Sequence, residues 1–173
     1  MMEEALRPIL ERRSCRDYTD EPVSETALRA LLQAGMNAPS ARNSQPWEFL
    51  VLRDAGIKAA VSAAGPYWGM LKDAPLGILV LANLDGYKAS KTDFFVQDCS
   101  AATENILLAA HAMGLGGVWL GLYPNEQRVD AVRRICGIPK EIIPVVLVSI
   151  GHPAKMPQPH TEFKEDKVHY DRY

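Results

Sequence analysis

The run Pro75-Leu76-Gly77-Ile78-Leu79-Val80-Leu81-Ala82 is apolar at every position and lacks the alternation of a strand with one wet face. A strand buried on both faces needs a layer on each side, so this segment predicts a sheet sandwiched between helices. Working outward, residues 47–52 (WEFLVL), 117–122 (GVWLGL) and 145–150 (VVLVSI) read as further strands. Apolar residues at helical spacing predict helices over 3–12, from Ser24 to about Gly35, from Asp54 to about Ala64, from Asp93 to about Met113, and from Pro124 to Cys136. Ser24 and Asp54 are cap-forming residue types, and Gly114 and Gly137 stop the helices before them. The longest helix carries Phe95, Cys99, Ala102, Ile106, Ala109 and Met113 on one side. Residues 152–173, with Pro153, Pro157 and Pro159, read as an extended arm.

At 173 residues the chain is most simply one domain, 1–173, able to bury roughly 70% of its unfolded surface. The 47% hydrophobic and 23% charged fractions are those of an ordinary globular protein. A net charge of −2, with both signs interleaved, gives no field to hold a nucleic acid or an anionic membrane. No stretch reaches the ~18 apolar residues of a membrane span. The 3 cysteines lack any Cys-x-x-Cys pairing, which suits a reducing compartment. A cytoplasmic protein is the expectation.

Two polar groups stand out. Arg12, Arg13, Ser14 and Arg16 bring together guanidiniums and a hydroxyl, a donor set for a phosphate monoester or carboxylate. Basic residues at a helix C-terminus also cap carbonyls and complement the macrodipole, so this second reading stands beside the first. In Pro39-Ser40-Ala41-Arg42-Asn43-Ser44-Gln45-Pro46-Trp47, two prolines exclude regular helix and leave amides and hydroxyls available. Such a loop suits the edge of a planar heterocycle; it is equally the composition of a turn that satisfies its own backbone.

Other signals are weaker. Gly114, Gly116 and Gly117 follow a helix and precede a strand, the wrong order for a dinucleotide fingerprint, and Trp119 stands where its last glycine belongs. The 4 histidines have no metal-ligand spacing, so no metal is assigned. No nucleophile sits in a recognisable hydrolase context. Asp98 and Glu104 lie on different faces of the long helix and are expected to solvate it or bond locally. Tyr67, Trp68 and Phe94 either line an aromatic substrate pocket or pack in the core.

Taken in order, Arg-Arg-Ser-x-Arg at 12–16, Pro-Ser-Ala-x-Asn-x-Gln-Pro-Trp at 39–47, the helix from Gln97 to Asn105, Gly-Leu-Gly-Gly-Val-Trp at 114–119 and Gly-His-Pro-Ala at 151–154 resemble the flavin-dependent nitroreductase family in its short form. The resemblance covers essentially the whole chain. It implies an α+β fold, a three-layer α/β/α sandwich with a central mixed sheet, and an intertwined homodimer whose C-terminal arm crosses the partner. FMN would sit at the dimer interface. Arg12, Arg13, Ser14 and Arg16 would meet its phosphate and ribityl chain; where relatives often carry arginines in the arm this chain has His160 and Glu162, with Lys155 or Lys164 as substitutes. Pro39, Ser40, Ala41, Asn43 and Gln45 would meet the ribityl group or ring edge. Gly117, Val118, Trp119, Leu120 and Gly121 would line the ring, an amide near Leu120 or Gly121 donating to N5. Arg42, Tyr67, Trp68 and Phe94 would border the substrate pocket.

The implied activity is ping-pong hydride transfer from NADH or NADPH through flavin N5 to a nitroaromatic, quinone or similar small electron-poor acceptor. The cofactor carries the chemistry, which accounts for the lack of a triad. Two rival readings are a flavin-fragmenting or reductively dehalogenating enzyme of the same fold, and a non-catalytic flavin- or nucleotide-binding dimer. The first usually needs an inserted lid, and the region from Ala64 to Asp98 is short.

Overall fold

A computed structural model describes residues 2–88, 94–160 and 162–173. Its strands are β1 (Trp47–Leu52), β2 (Leu76–Asn83), β3 (Gly116–Gly121) and β4 (Ile142–Gly151), and its helices are α1 (Met2–Glu11), α2 (Glu25–Met36), α3 (Ala55–Ala63), α4 (Phe94–Ala112) and α5 (Glu126–Cys136). The doubly apolar run forms β2, and its side chains divide as the pleat demands. Leu76, Ile78, Val80 and Ala82 enter a core shared with α2 and α4, whereas Leu79 and Leu81 enter a second core beneath α3 and α5. The sheet is thus covered on both faces, the expected α/β/α sandwich.

Strand order is β1-β2-β4-β3. The expected mixed sheet is corrected: all three strand pairings are antiparallel, and among the described residues parallel pairing is confined to an isolated bridge between Ser14 and Gly117. The helix α4 does join two strands of like direction, β2 and β3. The long final strand inserts between them and runs opposite to both. Pro144 is tolerated in this central strand because the register shifts beside it, opposite Val80 and Leu81.

Local signals account for most element ends. The Ser24 hydroxyl accepts from the Ala27 N–H at 3.1 Å, and the Asp54 carboxylate from Ile57 at 2.8 Å. The helix expected from Pro124 begins two residues later, at Glu126, because Asn125 caps it through Arg128 N–H at 3.1 Å. Gly137 ends α5 at φ 66°. The expected start of the long helix at Asp93 lies outside the described residues.

The C-terminal arm begins against the segment after α1, with Thr19 N–H donating to His152 O at 2.9 Å and Ala154 N–H to Asp17 O at 3.0 Å. From Glu162 onward its residues are exposed, with one short 3₁₀ turn at Glu165–Lys167. Among the described residues no helix is long and apolar enough to cross a membrane.

Candidate functional site

Ser14 and Arg16 owe their placement to Cys15. The segment lies along the free edge of β3, where Cys15 N–H donates to Gly117 O at 3.0 Å. In this extended stretch the buried Cys15 points inward, and Ser14 and Arg16 both face solvent. Gly116 permits the approach: a Cβ there would lie 2.6 Å from Cys15 Cβ. Burial raises the Cys15 thiol above its ordinary range, so it serves as a neutral packing group.

The neighbouring arginines are partly engaged. The guanidinium of Arg13 donates to Leu10 O at 3.1 Å, to Arg12 O at 2.6 Å and to His160 O. Arg13 therefore caps the C-terminus of α1 and ties down the arm; the capping reading holds for this residue. Arg12 Nε lies 3.3 Å from Glu104 of α4, but its N–H is not aimed at that oxygen, so the contact is Coulombic. Ser14 and Arg16 are the exposed donors of the cluster. The His160 side chain is exposed, 3.8 Å from Glu162, and Lys155 is exposed.

Along β3 the Gly117 carbonyl faces Cys15, away from β4. Backbone groups alternate sides in an antiparallel strand, so those of Trp119 and Gly121 face the free edge and those of Val118 and Leu120 face β4. Of the two amides expected to serve as an outward donor, Leu120 is excluded and Gly121 remains. Gly121 has no atom within 4 Å of where a Cβ would stand, leaving open space beside that amide. Its carbonyl accepts from Arg128 at 3.1 Å.

The second group sits elsewhere. Between Pro39 and Pro46 the chain makes one 3₁₀ turn, Ala41–Asn43, with left-handed backbone at Arg42, Asn43 and Gln45 (φ 53°, 52° and 48°). Part of its polarity is spent internally: Gln45 N–H donates to Ser40 Oγ at 2.9 Å, and Ser44 Oγ to Ala41 O at 2.6 Å. Asn43 and Gln45 keep exposed side chains, and Arg42 reaches Lys88 O at 3.2 Å.

Asp98 holds this loop, a role its sequence position did not reveal. It is 5% exposed, its Oδ1 accepting from Ala41 N–H at 2.8 Å and its Oδ2 from Tyr87 O–H at 2.6 Å. Burial, then the bond to Asp98, raises the Tyr87 hydroxyl well above its ordinary range, so it remains a donor at neutral pH. The expected solvating or local role of Asp98 is therefore corrected. The available signal was an acid on the buried stripe of α4, between Phe95 and Cys99.

The aromatic residues separate. Trp68, expected at a substrate pocket, is 2% exposed and packs in the core beneath α3 and α5, with the Arg128 guanidinium 5.8 Å from its ring. It follows an outward Tyr67, 77% exposed, which shares a cavity of about 570 Å³ with Arg16, Gly69, Met70, Lys72 and Asp73. Phe94 is exposed at the start of α4, one turn before Asp98.

Within one chain these two groups do not meet. The loop feeds the first residue of β1 at one edge of the sheet, and Ser14 pairs with Gly117 at the opposite edge. The registers Trp47–Ala82, Ala82–Ile143 and Ile150–Gly117 put them at diagonal corners, roughly 14 Å apart across the strands and about 20 Å along them.

An antiparallel sheet between helical layers, with a hydroxyl–guanidinium pair at one corner and an amide-bearing loop at the other, defines an α+β sandwich with two donor sites. Comparison with known proteins makes the class specific. The model of the Nitroreductase family matches residues 9–64 and 57–152. A protein of Archaeoglobus fulgidus, provisionally named NADH dehydrogenase/NAD(P)H nitroreductase, is 44% identical over 99% of this chain and 100% of its own length. The solved structure of a protein so named from Bacteroides thetaiotaomicron is 39% identical, with a TM-score of 0.92 over 98% of each chain. A provisionally named nitroreductase of Desulfovibrio desulfuricans, solved in complex with FMN, is 31% identical with a TM-score of 0.82 over 97% of this chain and 96% of that one. This chain belongs to the nitroreductase family.

Proposed function

We propose that this protein is an FMN-dependent NAD(P)H oxidoreductase that works as a homodimer. The donor set fits FMN: Ser14 and Arg16 offer a hydroxyl and a guanidinium to a phosphate-bearing chain, and Gly121 offers an edge amide beside open space. Asn43 and Gln45 offer both donors and acceptors to a heterocycle edge. When bound, FMN supplies the hydride chemistry, from NADH or NADPH to a nitroaromatic, quinone or similar acceptor in ping-pong order. The family relative solved with FMN supports that cofactor.

The observation that carries the dimer is the diagonal separation of the two donor groups. One ligand cannot draw on both within a chain, whereas a two-fold partner can bring its own 40–45 loop to the 12–16 and 117–121 corner. Each flavin is then held by the Ser14–Arg16 segment and β3 of one protomer and by the loop of the other. The chain's own residues bind and orient the cofactor. The Gly121 amide is the candidate hydrogen-bond donor to the ring, and Tyr67, at the cavity beside Arg16, borders the substrate.

Titration of flavin-free protein with FMN, followed by NADH and NADPH oxidation with a quinone and a nitroaromatic, tests the reading. Saturable flavin binding and acceptor-dependent oxidation are expected. Protein that stays colourless after reconstitution sinks the proposal.

A further inference from the structure

Asp98 is the only described residue whose side chain fastens the core helix α4 to the strained 40–45 loop, by a bond that spans 57 positions of sequence. Three left-handed non-glycine residues in that loop each oppose their local preference, by about 1–2 kcal/mol for a residue without special tolerance. The loop therefore needs outside contacts to keep this shape. Asp98 supplies one from below through Ala41. The segment carrying Tyr87 supplies others from the flank, with Lys88 N–H donating to Ser44 Oγ at 3.3 Å and Lys88 O accepting from Arg42. Tyr87 also binds the second oxygen of Asp98, so one buried carboxylate ties helix, loop and flank together.

We propose that Asp98, locked by Tyr87, is a positioning residue for flavin: it sets the backbone of residues 40–45 and hence the direction in which Asn43 and Gln45 present their amides to the cofactor. This rests on the FMN reading above. In the homodimer it makes a buried acid of one protomer a determinant of flavin affinity at the partner's corner.

The test is a set of double-mutant cycles read as FMN affinity by quenching of flavin fluorescence, with amide hydrogen exchange of the flavin-free protein alongside. Asp98→Ala leaves the Ala41 N–H without its partner and weakens FMN about tenfold to a hundredfold. Asp98→Asn keeps an acceptor without the charge and restores part of that loss. In an Asn43→Ala background the Asp98→Ala factor shrinks severalfold, because the loop has less to position; in a Ser14→Ala background it stays whole. Equal factors in both backgrounds reveal a general structural role and overturn the proposal, as does wild-type affinity in Asp98→Ala. Should that variant fail to fold, Tyr87→Phe carries the same cycle with an expected loss of about threefold to tenfold. Exchange at Ala41 N–H accelerates in Asp98→Ala without any flavin present, and unchanged exchange also counts against the latch. Wild-type protein that binds no FMN overturns the functional reading, and the exchange result still decides whether Asp98 holds the loop.

Discussion

A single missing side chain controls how closely the Ser14–Arg16 segment lies on β3. Alanine at Gly116 puts its Cβ 2.6 Å from Cys15 Cβ and 2.7 Å from Cys15 Sγ, distances no packed carbons adopt. Neither Cβ can swing away, so the backbone bridge at Ser14 must open, moving both exposed donors. Gly116→Ala is expected to destabilise the fold by about 1–3 kcal/mol, the usual result of overpacking, and to weaken flavin binding. Urea unfolding and FMN titration measure the two effects. The collision also predicts a selective rescue: adding Cys15→Gly restores part of both losses, whereas Cys15→Ala, which keeps the offending Cβ, does not. Equal behaviour of the two double variants refutes the steric account.

At the scale of elements, α4 is the strut on which the donor groups hang: Asp98 anchors the loop, Glu104 pairs with Arg12, and Asn105 donates to Ala34 O of α2 at 3.0 Å. Ile106, fully buried in the core that α4 shares with the sheet, also touches the site of Gly35 in α2. Ile106→Ala is expected to cost about 2–5 kcal/mol, seen as a lower guanidinium midpoint at unchanged slope. Much of this architecture was legible in the sequence because its causes are local. A run apolar on both faces has one physical outcome, and Ser24 and Asp54 cap within three residues of themselves. Strand direction was not legible, since β4 reaches its place between β2 and β3 only through the folded topology. The same holds for Asp98: an acid in a helix suggests solvation or a local bond, and nothing near it named Ala41 as its partner. Of Tyr67 and Trp68, adjacent in a glycine-bounded turn, composition could not say which ring would turn inward.

The whole molecule leaves a face that one chain does not cover. Leu6, Ile9 and Leu10 of α1 are exposed, as are Met113 just beyond α4 and Phe163 on the arm. Leu6, Ile9 and Leu10 belong to α1, which packs on α4 just ahead of Arg12. Arg13 holds the arm near α1, and Ile9, Leu10 and Phe163 line a groove of about 500 Å³ there. If this is where the two-fold partner docks, each residue acts twice, once from each protomer. Burying one large aliphatic side chain contributes about 1.5–3 kcal/mol, so Ile9→Glu removes about 3–6 kcal/mol from the dimer, before the cost of burying two charges. Ile9 is already exposed in the single chain, and its replacement leaves the protomer's own core intact. If the wild type is the proposed dimer, sedimentation velocity of Ile9→Glu is therefore expected to find a folded monomer at the same concentration, with native circular dichroism and lost flavin. A variant that remains dimeric moves the interface off α1; a monomer that retains FMN at wild-type affinity removes the need for a site shared between protomers.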